Sequence, residues 1–478
     1  MTAAEDVDPL TAPCAPGPGS GSTGSTDVAG RITATLRRRA VPIVVATVIV
    51  VVGIAFEFLW YPVFFHQDRW FTQGDVWGML RAAHFVGWGD IGGVYTRGNG
   101  VVALPGMPIL LAPVAALAGS LHLTESYIPV FLARPTAAIL LVPAELVIAS
   151  TVVFASDSLA EELGIGRTRR VWLCVVVGIL AWPTAALLGH AEDALAMTLA
   201  LYALRAMLQE RWVRMGWLLG FAVLVQPLVA LTVPLLVAVS PQGQRARTVV
   251  RSSVVSVFVV GLCLLSDPSD TYHSLVLQPT PPALNHATPW VHLAPTVSQG
   301  LRSIRQVQAP TFGHGAFSRI ALTAHAGADV SGGPGRIIDL LLALLVAGWV
   351  WRRPQSSDRV LWLTAAVLVS RCFFEAVMTP YYLAPPLILL LVLAARADRM
   401  RFATAVATSF AISVYAYAHL GPWVWWLPIV AGLSLILWLT FPVEGVSPPG
   451  GGTTAAPGTS VPGESDGDAR LTTTVHLA

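Results

Sequence analysis

Long apolar blocks dominate this chain, and no other feature constrains its fold as tightly. They run for about 16 to 24 residues, the length that carries a helix across ~30 Å of hydrocarbon. Of the 478 residues 54% are hydrophobic and 12% charged, roughly half the charge of an ordinary soluble domain. That is too little to coat a set of water-soluble domains. The expected fold is an all-α polytopic membrane protein.

Arginine sets the expected orientation. Arg31, Arg37, Arg38 and Arg39 precede the first apolar run, Val41 to Trp60. That run is too long for a signal-peptide core and lacks a small-residue cleavage site, so it reads as a retained span with a cytoplasmic N-terminus. Further clusters mark the cytoplasmic side: Arg167/Arg169/Arg170, Arg211/Arg214, Arg245/Arg247/Arg251, Arg352/Arg353/Arg359 and Arg396/Arg399/Arg401. Spans fit between them near 133–155, 171–188, 192–208, 252–267, 336–351, 360–378, 380–396, 402–419 and 422–441. Gly216 to Val239 has arginines at both ends, so a single crossing would break the positive-inside rule. Pro227 and Pro234 interrupt it, and a helix broken at proline can enter and return as two short helices. The result is a bundle of about 12 membrane helices over 41–441. A disordered cytoplasmic segment, 1–40, precedes it and a disordered cytoplasmic tail, 442–478, follows. Two long extracytoplasmic loops, about 61–130 and 268–335, remain, with the Pro-rich stretch 104–121 dipping into the membrane. Ten of the eleven histidines, all but His476, fall on that outer side or at outer helix ends, and long loops carry function more often than short connectors do.

Composition also excludes chemistry. Every basic residue is arginine, which removes a Walker-type lysine and Schiff-base catalysis. Cys14, Cys174, Cys263 and Cys372 have no metal spacing and predict no disulfide framework. The formal net charge of +2 gives no reason to expect nucleic acid as a partner.

The first outer loop reads Phe71-Thr72-Gln73-Gly74-Asp75-Val76-Trp77, then Arg81-Ala82-Ala83-His84, Val94-Tyr95 and Leu104-Pro105-Gly106-Met107-Pro108. A carboxylate at the membrane boundary, such as Asp75, suits a general base acting on a sugar hydroxyl. It is equally an ordinary solvated aspartate, and Asp68 and Asp90 compete for the role. In Gly189-His190-Ala191-Glu192-Asp193 the three polar side chains offer N and O ligands to a divalent cation or contacts to a substrate; the acid pair also suits a helix N-terminus. Arg371 and Glu375 share a helix face just before Thr379-Pro380-Tyr381-Tyr382. Arg371 can take a phosphate on its planar fork, or the two can be a structural pair locking helices. Glu145 lies mid-span without an evident partner. His286, in Asn285-His286-Ala287-Thr288-Pro289-Trp290, is a further substrate-binding candidate, and Trp290 suits interface anchoring.

The spacing Asp75…Ala82-Ala83…Tyr95…Pro105-x-x-Pro108 resembles the first-loop pattern of the GT-C superfamily of membrane glycosyltransferases. It is most similar to actinobacterial polyprenol-phosphate-mannose-dependent mannosyltransferases and their relatives, and covers roughly residues 40–440. It departs from them at the proline pair, where a tighter Tyr-Pro-Pro is usual. The resemblance implies a GT-C-like bundle in the cell membrane with Asp75 as catalytic base. It implies substrate contacts by the outer turn of His190, Glu192 and Asp193 and by Gln226, while Arg371, Glu375, Tyr381 and His286 are substrate-binding candidates on their own chemistry. Related enzymes commonly carry a lysine just before Pro227, where this chain has the uncharged Gln226. The expected reaction moves a sugar, mannose first and arabinofuranose second, from a polyprenyl-phosphate donor to a glycolipid or glycan acceptor, with inversion. No cofactor is certain; a divalent cation is possible. A transporter or flippase of lipid-linked sugars would share the many spans and intramembrane charges, though it often carries internal repeats, and none is evident.

Overall fold

A pile of apolar helices, each reversing the direction of the last, accounts for nearly everything described. The computed structural model describes residues 33–60, 74–95, 103–127, 130–133, 135–282, 285–298, 329–418 and 420–442, with Gly30 and Val101. Of the expected disordered segment 1–40, residues 33–38 are helical, with Arg38 and Arg39 tied to the acidic partners Asp157 and Glu161. The expectations for 1–29 and 443–478, and those concerning Asp68 and residues 299–328, lie outside the described residues. Contacts group the chain into Met1–Phe441 and Pro442–Ala478, and the architecture below belongs to the first unit.

In chain order the main helices are α1 (Ala40–Ala55, continued by a π-helical turn at Phe56–Trp60), α2 (Gly74–Gly87), α3 (Gly106–Ser120), α4 (Ala138–Glu162), α5 (Arg167–Ala186) and α6 (Ala191–Leu208). Then come α7 (Trp212–Val225), a 3-10 segment Pro227–Thr232 leading into α8 (Val233–Val239), and α9 (Gln242–Ser266). Last are α10 (Gly335–Arg352), α11 (Ser357–Phe374), α12 (Ala384–Ala394), α13 (Arg399–Tyr415) and α14 (Pro422–Leu439). Strands are confined to short antiparallel pairs, including β1 (Thr124–Tyr127) with β2 (Val130–Ala133) and His286–Ala287 with Val377–Met378. The all-α expectation is met.

Among the described residues five helices are long and apolar enough to cross a membrane: Ala40–Trp60, α4, α5, α9 and α14. Three more, α6, α10 and α11, have eighteen residues and an apolar middle, with their charged residues near the ends. Outward faces are apolar: Val257, Phe258 and Leu265 of α9 and Leu341 and Leu345 of α10 are all more than half exposed. Faces this large and apolar are unfavourable in water and suit a hydrocarbon solvent. At the centre runs α12, buried at every residue, with α4, α5, α6, α11, α13 and α14 around it.

The bundle has two unlike ends. At one, arginines knit helix termini together. Asp157, 3% exposed at its side chain, accepts from Arg39 and from both Nε and Nη2 of Arg170 (2.8 and 2.9 Å). Glu161 takes Arg38, Arg39 and Arg170 at 2.8 to 3.2 Å. Arg205 holds Glu162 at 3.1 Å, and Arg169 caps the carbonyls of Ala395 and Ala397 just past α12. These arginines explain two departures from the expected spans. Helix α4 runs on to Glu162, past the expected 155, because its acidic last turns are neutralised. Helix α9 begins at Gln242, ten residues before the expected 252. Arg245 lies along it, donating to the carbonyls of Ser240 and Ala238 (3.1 and 3.3 Å) and stacking on Trp351 at 3.9 Å. Long basic side chains bury their stems and keep their charge at the edge.

At the opposite end the chain makes its tight reversals. The return expected within 216–239 is present. Gln226 is extended (φ −144°, ψ 115°) between α7 and the Pro227 segment. Helix α7 and the later α9 run in parallel, with Ser256 donating to the Gly220 carbonyl at 3.4 Å. Stretch 104–121 forms α3, whose fifteen residues reach ~22 Å, short of a bilayer. Its first residue abuts α7: a Cβ on Gly106 would lie 2.6 Å from the Leu224 carbonyl oxygen, so glycine is required there. The same holds at the start of α10, where a Cβ on Gly335 would meet the Phe374 oxygen at 1.8 Å. Trp290 donates to the Phe373 carbonyl at 2.6 Å and Trp426 donates to the same oxygen at 3.2 Å. Trp290 is therefore packed on the end of α11 rather than standing as an interface anchor.

Asp157 and Glu161 share Arg39 and Arg170, so replacing Asp157 by alanine leaves both arginines on one carboxylate. Asp157→Ala is expected to lower unfolding stability by about 2–3 kcal/mol, the scale of lost charged hydrogen bonds. Arg396→Ala, at the exposed Asp358 pair, is expected to cost no more than about 1 kcal/mol. Thermal unfolding of the detergent-solubilised variants measures both.

Candidate functional site

Three reversals bring the site together. Helix α5 ends at Ala186, and Gly189, in the left-handed region at φ +71°, turns the chain so that the His190 amide bonds the Thr184 carbonyl at 2.8 Å. Glycine adopts that backbone without penalty. His190 is left over the end of α5, with Glu192 and Asp193 in the first turn of α6. Asp75 occupies the first turn of α2, and the segment from Glu375 to Tyr382 links α11 to α12.

His190 stands between two carboxylates. Its Nε2 lies 3.2 Å from Asp75 Oδ2 and its Nδ1 2.6 Å from Glu192 Oε1. The Glu192 side chain is 3% exposed, that of His190 12% and that of Asp75 57%. The line runs from a solvent-open carboxylate through an imidazole to a buried one. Burial pushes the His190 pKa down, but the Glu192 charge and the hydrogen bonds to Asp75 and Glu192 outweigh it and hold the ring protonated well above its usual range. Burial also pushes Asp75 up, yet the hydrogen bond and charge of His190 prevail and keep its carboxyl below the ordinary value. Protonated His190 then donates from both nitrogens.

From His190 the contacts continue through aromatic rings. Its imidazole stacks on Tyr381, centroids 3.7 Å apart at 27°. Tyr381 meets Tyr382 edge to face at 4.8 Å, and the Arg371 guanidinium sits 4.2 Å over the Tyr382 ring. Arg371 Nε is 3.2 Å from Glu375 Oε2 but its N–H is not aimed at that oxygen, so the contact is ionic without being a hydrogen bond. Arg336, from the first turn of α10, donates its Nε to the other oxygen, Oε1, at 3.2 Å. Beside this line Gln226 donates to Asp193 Oδ1 at 2.9 Å, while Asp193 Oδ2 is buried without a hydrogen bond.

Asp75, His190, Glu192, Tyr381, Arg371 and Glu375, far apart in sequence, are thus joined contact by contact, and Asp193 with Gln226 lies alongside. Glu375, with 3% of its side chain exposed, is a counter-ion to two arginines rather than a surface waiting for substrate. His286 sits outside the line: its ring lies flat on Trp425 at 4.5 Å and 2°, and its backbone pairs with Met378. Tyr95 is buried and donates to the Ala103 carbonyl at 3.0 Å, fastening the first loop. One ligand atom each from His190, Glu192 and Asp193 lie within 4.8 Å of one another, close enough to hold a cation, though both ring nitrogens already face carboxylates. Sequence reasoning missed Arg336, whose partner is 39 positions away, and Glu57, which is 1% exposed in the π-helical turn after α1. Glu145, noted without a partner, is 4% exposed and within electrostatic reach of Glu192, His190, Glu57 and Asp75. Compared with protein-family models, curated proteins and solved structures, the chain matches none.

The two titrations act in opposite directions. His190 contributes stability fully below its unfolded value near 6.5 and loses it as pH rises through the raised folded value. Asp75 contributes above its unfolded value near 3.9 and loses it as pH falls through the lowered one. Thermal stability is therefore expected to decline on the alkaline side of neutrality in the wild type. His190→Gln should flatten that decline across a pH series of unfolding midpoints.

Proposed function

We propose that the chain is an integral membrane glycosyltransferase of the GT-C kind, using a polyprenyl-phosphate sugar on the extracytoplasmic side of the cell membrane. One observation carries the reading. A solvent-open carboxylate, Asp75, and a largely buried guanidinium, Arg371, lie at the same end of an apolar bundle with only His190 and a tyrosine pair between them. Two further features support it. Five of the described helices are long and apolar enough to cross a membrane, as a membrane-embedded bundle requires. Arginine clusters gather at the end away from Asp75, which the positive-inside rule assigns to the cytoplasm.

In this mechanism the donor's phosphate docks on Arg371, whose charge is met by the Glu375 carboxylate and the Tyr382 face. An acceptor hydroxyl enters beside Asp75. Asp75 takes its proton as the oxygen attacks the anomeric carbon; the bond from that carbon to the phosphate oxygen breaks on the opposite face, and the configuration inverts. His190, gripped by Glu192, fixes the orientation of Asp75 and keeps it ionised, ready to accept a proton at neutral pH. The negative charge developing on the departing lipid phosphate is met by fixed positive charge. A divalent cation, where one takes part, would be held by Glu192, Asp193 and His190 and would add positive charge near that phosphate. Mannose is the first sugar to test and arabinofuranose the second, with a cell-envelope glycolipid or glycan as acceptor.

The buried Glu57 and Glu145 have no part in this mechanism and favour a second reading, a proton-coupled carrier of lipid-linked sugars, because intramembrane carboxylates commonly mark proton paths. Membranes containing the wild type or Asp75→Asn, given radiolabelled polyprenyl-phosphate mannose, separate the two. The transferase reading expects label in a glycolipid with the wild type and a loss of about 10²- to 10⁴-fold with Asp75→Asn at equal expression. Transfer undiminished by the substitution would remove Asp75 as base. Label that moves between leaflets without entering a product would favour the carrier.

A further inference from the structure

Arg336 and Arg371 arrive from different helices and meet on one carboxylate by the same atom. Arg336 Nε faces Glu375 Oε1 and Arg371 Nε faces Glu375 Oε2, each at 3.2 Å. Arg336 donates its Nε–H there while Arg371 makes an ionic contact only, and a guanidinium whose Nε edge faces a carboxylate turns its two terminal nitrogens elsewhere. Among the described residues those terminal nitrogens donate no hydrogen bond, in either arginine. The Arg371 side chain is 11% exposed and that of Arg336 30%, and the terminal nitrogens of both are open to a ligand rather than sealed in the bundle. Arg371 is further fixed in its plane by Tyr382. Arg336 is fixed from below, because Gly335 packs its own backbone on the Phe374 carbonyl. The pair forms two pre-oriented forks on a shared anchor, the geometry that suits an oxyanion bound by several N–H groups.

We propose that Arg336 is a second phosphate-binding residue, closing with Arg371 on a single phosphate group carried by an isoprenoid lipid. This rests on the reading of Arg371 as the docking point and adds a residue that neither spacing nor resemblance identified. Glu375 fills the Nε edge of both arginines, so the phosphate meets only the terminal nitrogens. The clamp grips the headgroup by its oxygens and leaves the sugar to the tyrosine side of the site.

The test is direct binding to the purified, detergent-solubilised full-length protein, without any transfer step. Farnesyl phosphate is titrated in one arm and inorganic phosphate in the other, at one fixed ionic strength. Arg336→Gln and Arg371→Gln are each expected to weaken farnesyl phosphate binding roughly tenfold or more, the scale of a lost charged hydrogen bond. Arg353→Gln, at the opposite end of α10, should leave it unchanged and so exclude a general charge effect. Arg336→Lys keeps a charge beside Glu375 and loses the fork; it covers the case in which the glutamine variant fails to fold, and should weaken binding about threefold or more. An unaltered Kd for folded Arg336→Lys and Arg336→Gln, with binding lost in Arg371→Gln, overturns the clamp and leaves the Arg371 docking point standing. A wild type that binds neither probe removes both. Inorganic phosphate bound as tightly as farnesyl phosphate, with the same order of variants, keeps the clamp but assigns it to a soluble phosphate.

Discussion

Charge compensation inside an apolar bundle is the constraint on which this molecule depends. An ion moved out of water costs several kcal/mol even after relaxation, so each buried charge has to meet an opposite one from another helix. Asp157 does this at one end by joining Arg39 before α1 to Arg170 on α5. Glu375 does it at the other by joining α10 to α11. The helices are long and slippery, with sides that pack through Leu, Val and Ala. It is the ion pairs at their ends that fix which terminus lies beside which.

The same constraint separates the two ends in kind. At the arginine end the buried carboxylates are closed off: Asp157 and Glu161 are each met by more than one guanidinium. At the other end compensation is incomplete. Asp193 Oδ2 and Arg371 Nε are buried without hydrogen bonds, and Asp75 is open to solvent. A bundle that can close its charges at one end and leaves them open at the other has kept reactive capacity in one place.

Legibility in the sequence followed the range of the interaction. Apolar runs and arginine clusters are local signals, and the helices and the break at Gln226-Pro227 are legible from them. Charged residues mark helix boundaries in the sequence, and that signal ends α4 too early and starts α9 too late because Asp157 and Arg245 are carried inside their helices by distant partners. In the site, Arg371 and Glu375 were readable as an i, i+4 pair, and His190 with Glu192 and Asp193 as neighbours. Nothing local could join Asp75 to His190, Arg336 to Glu375, or the ring of His286 to Trp425 far along the chain. Resemblance supplied a role for Asp75, not its contact with His190.

The two indoles at the end of α11 have a quieter effect. Helix C-termini present carbonyls with no partner, and a basic side chain in the last turn usually folds back to cover them. Here Trp290 and Trp426 both donate to the Phe373 carbonyl, and the Glu375 amide reaches back to the Arg371 carbonyl at 3.0 Å. Arg371, three residues from that end, is relieved of covering its own helix. Its guanidinium can lie across Tyr382 with its outer edge unclaimed because neutral indole N–H groups have taken over the capping.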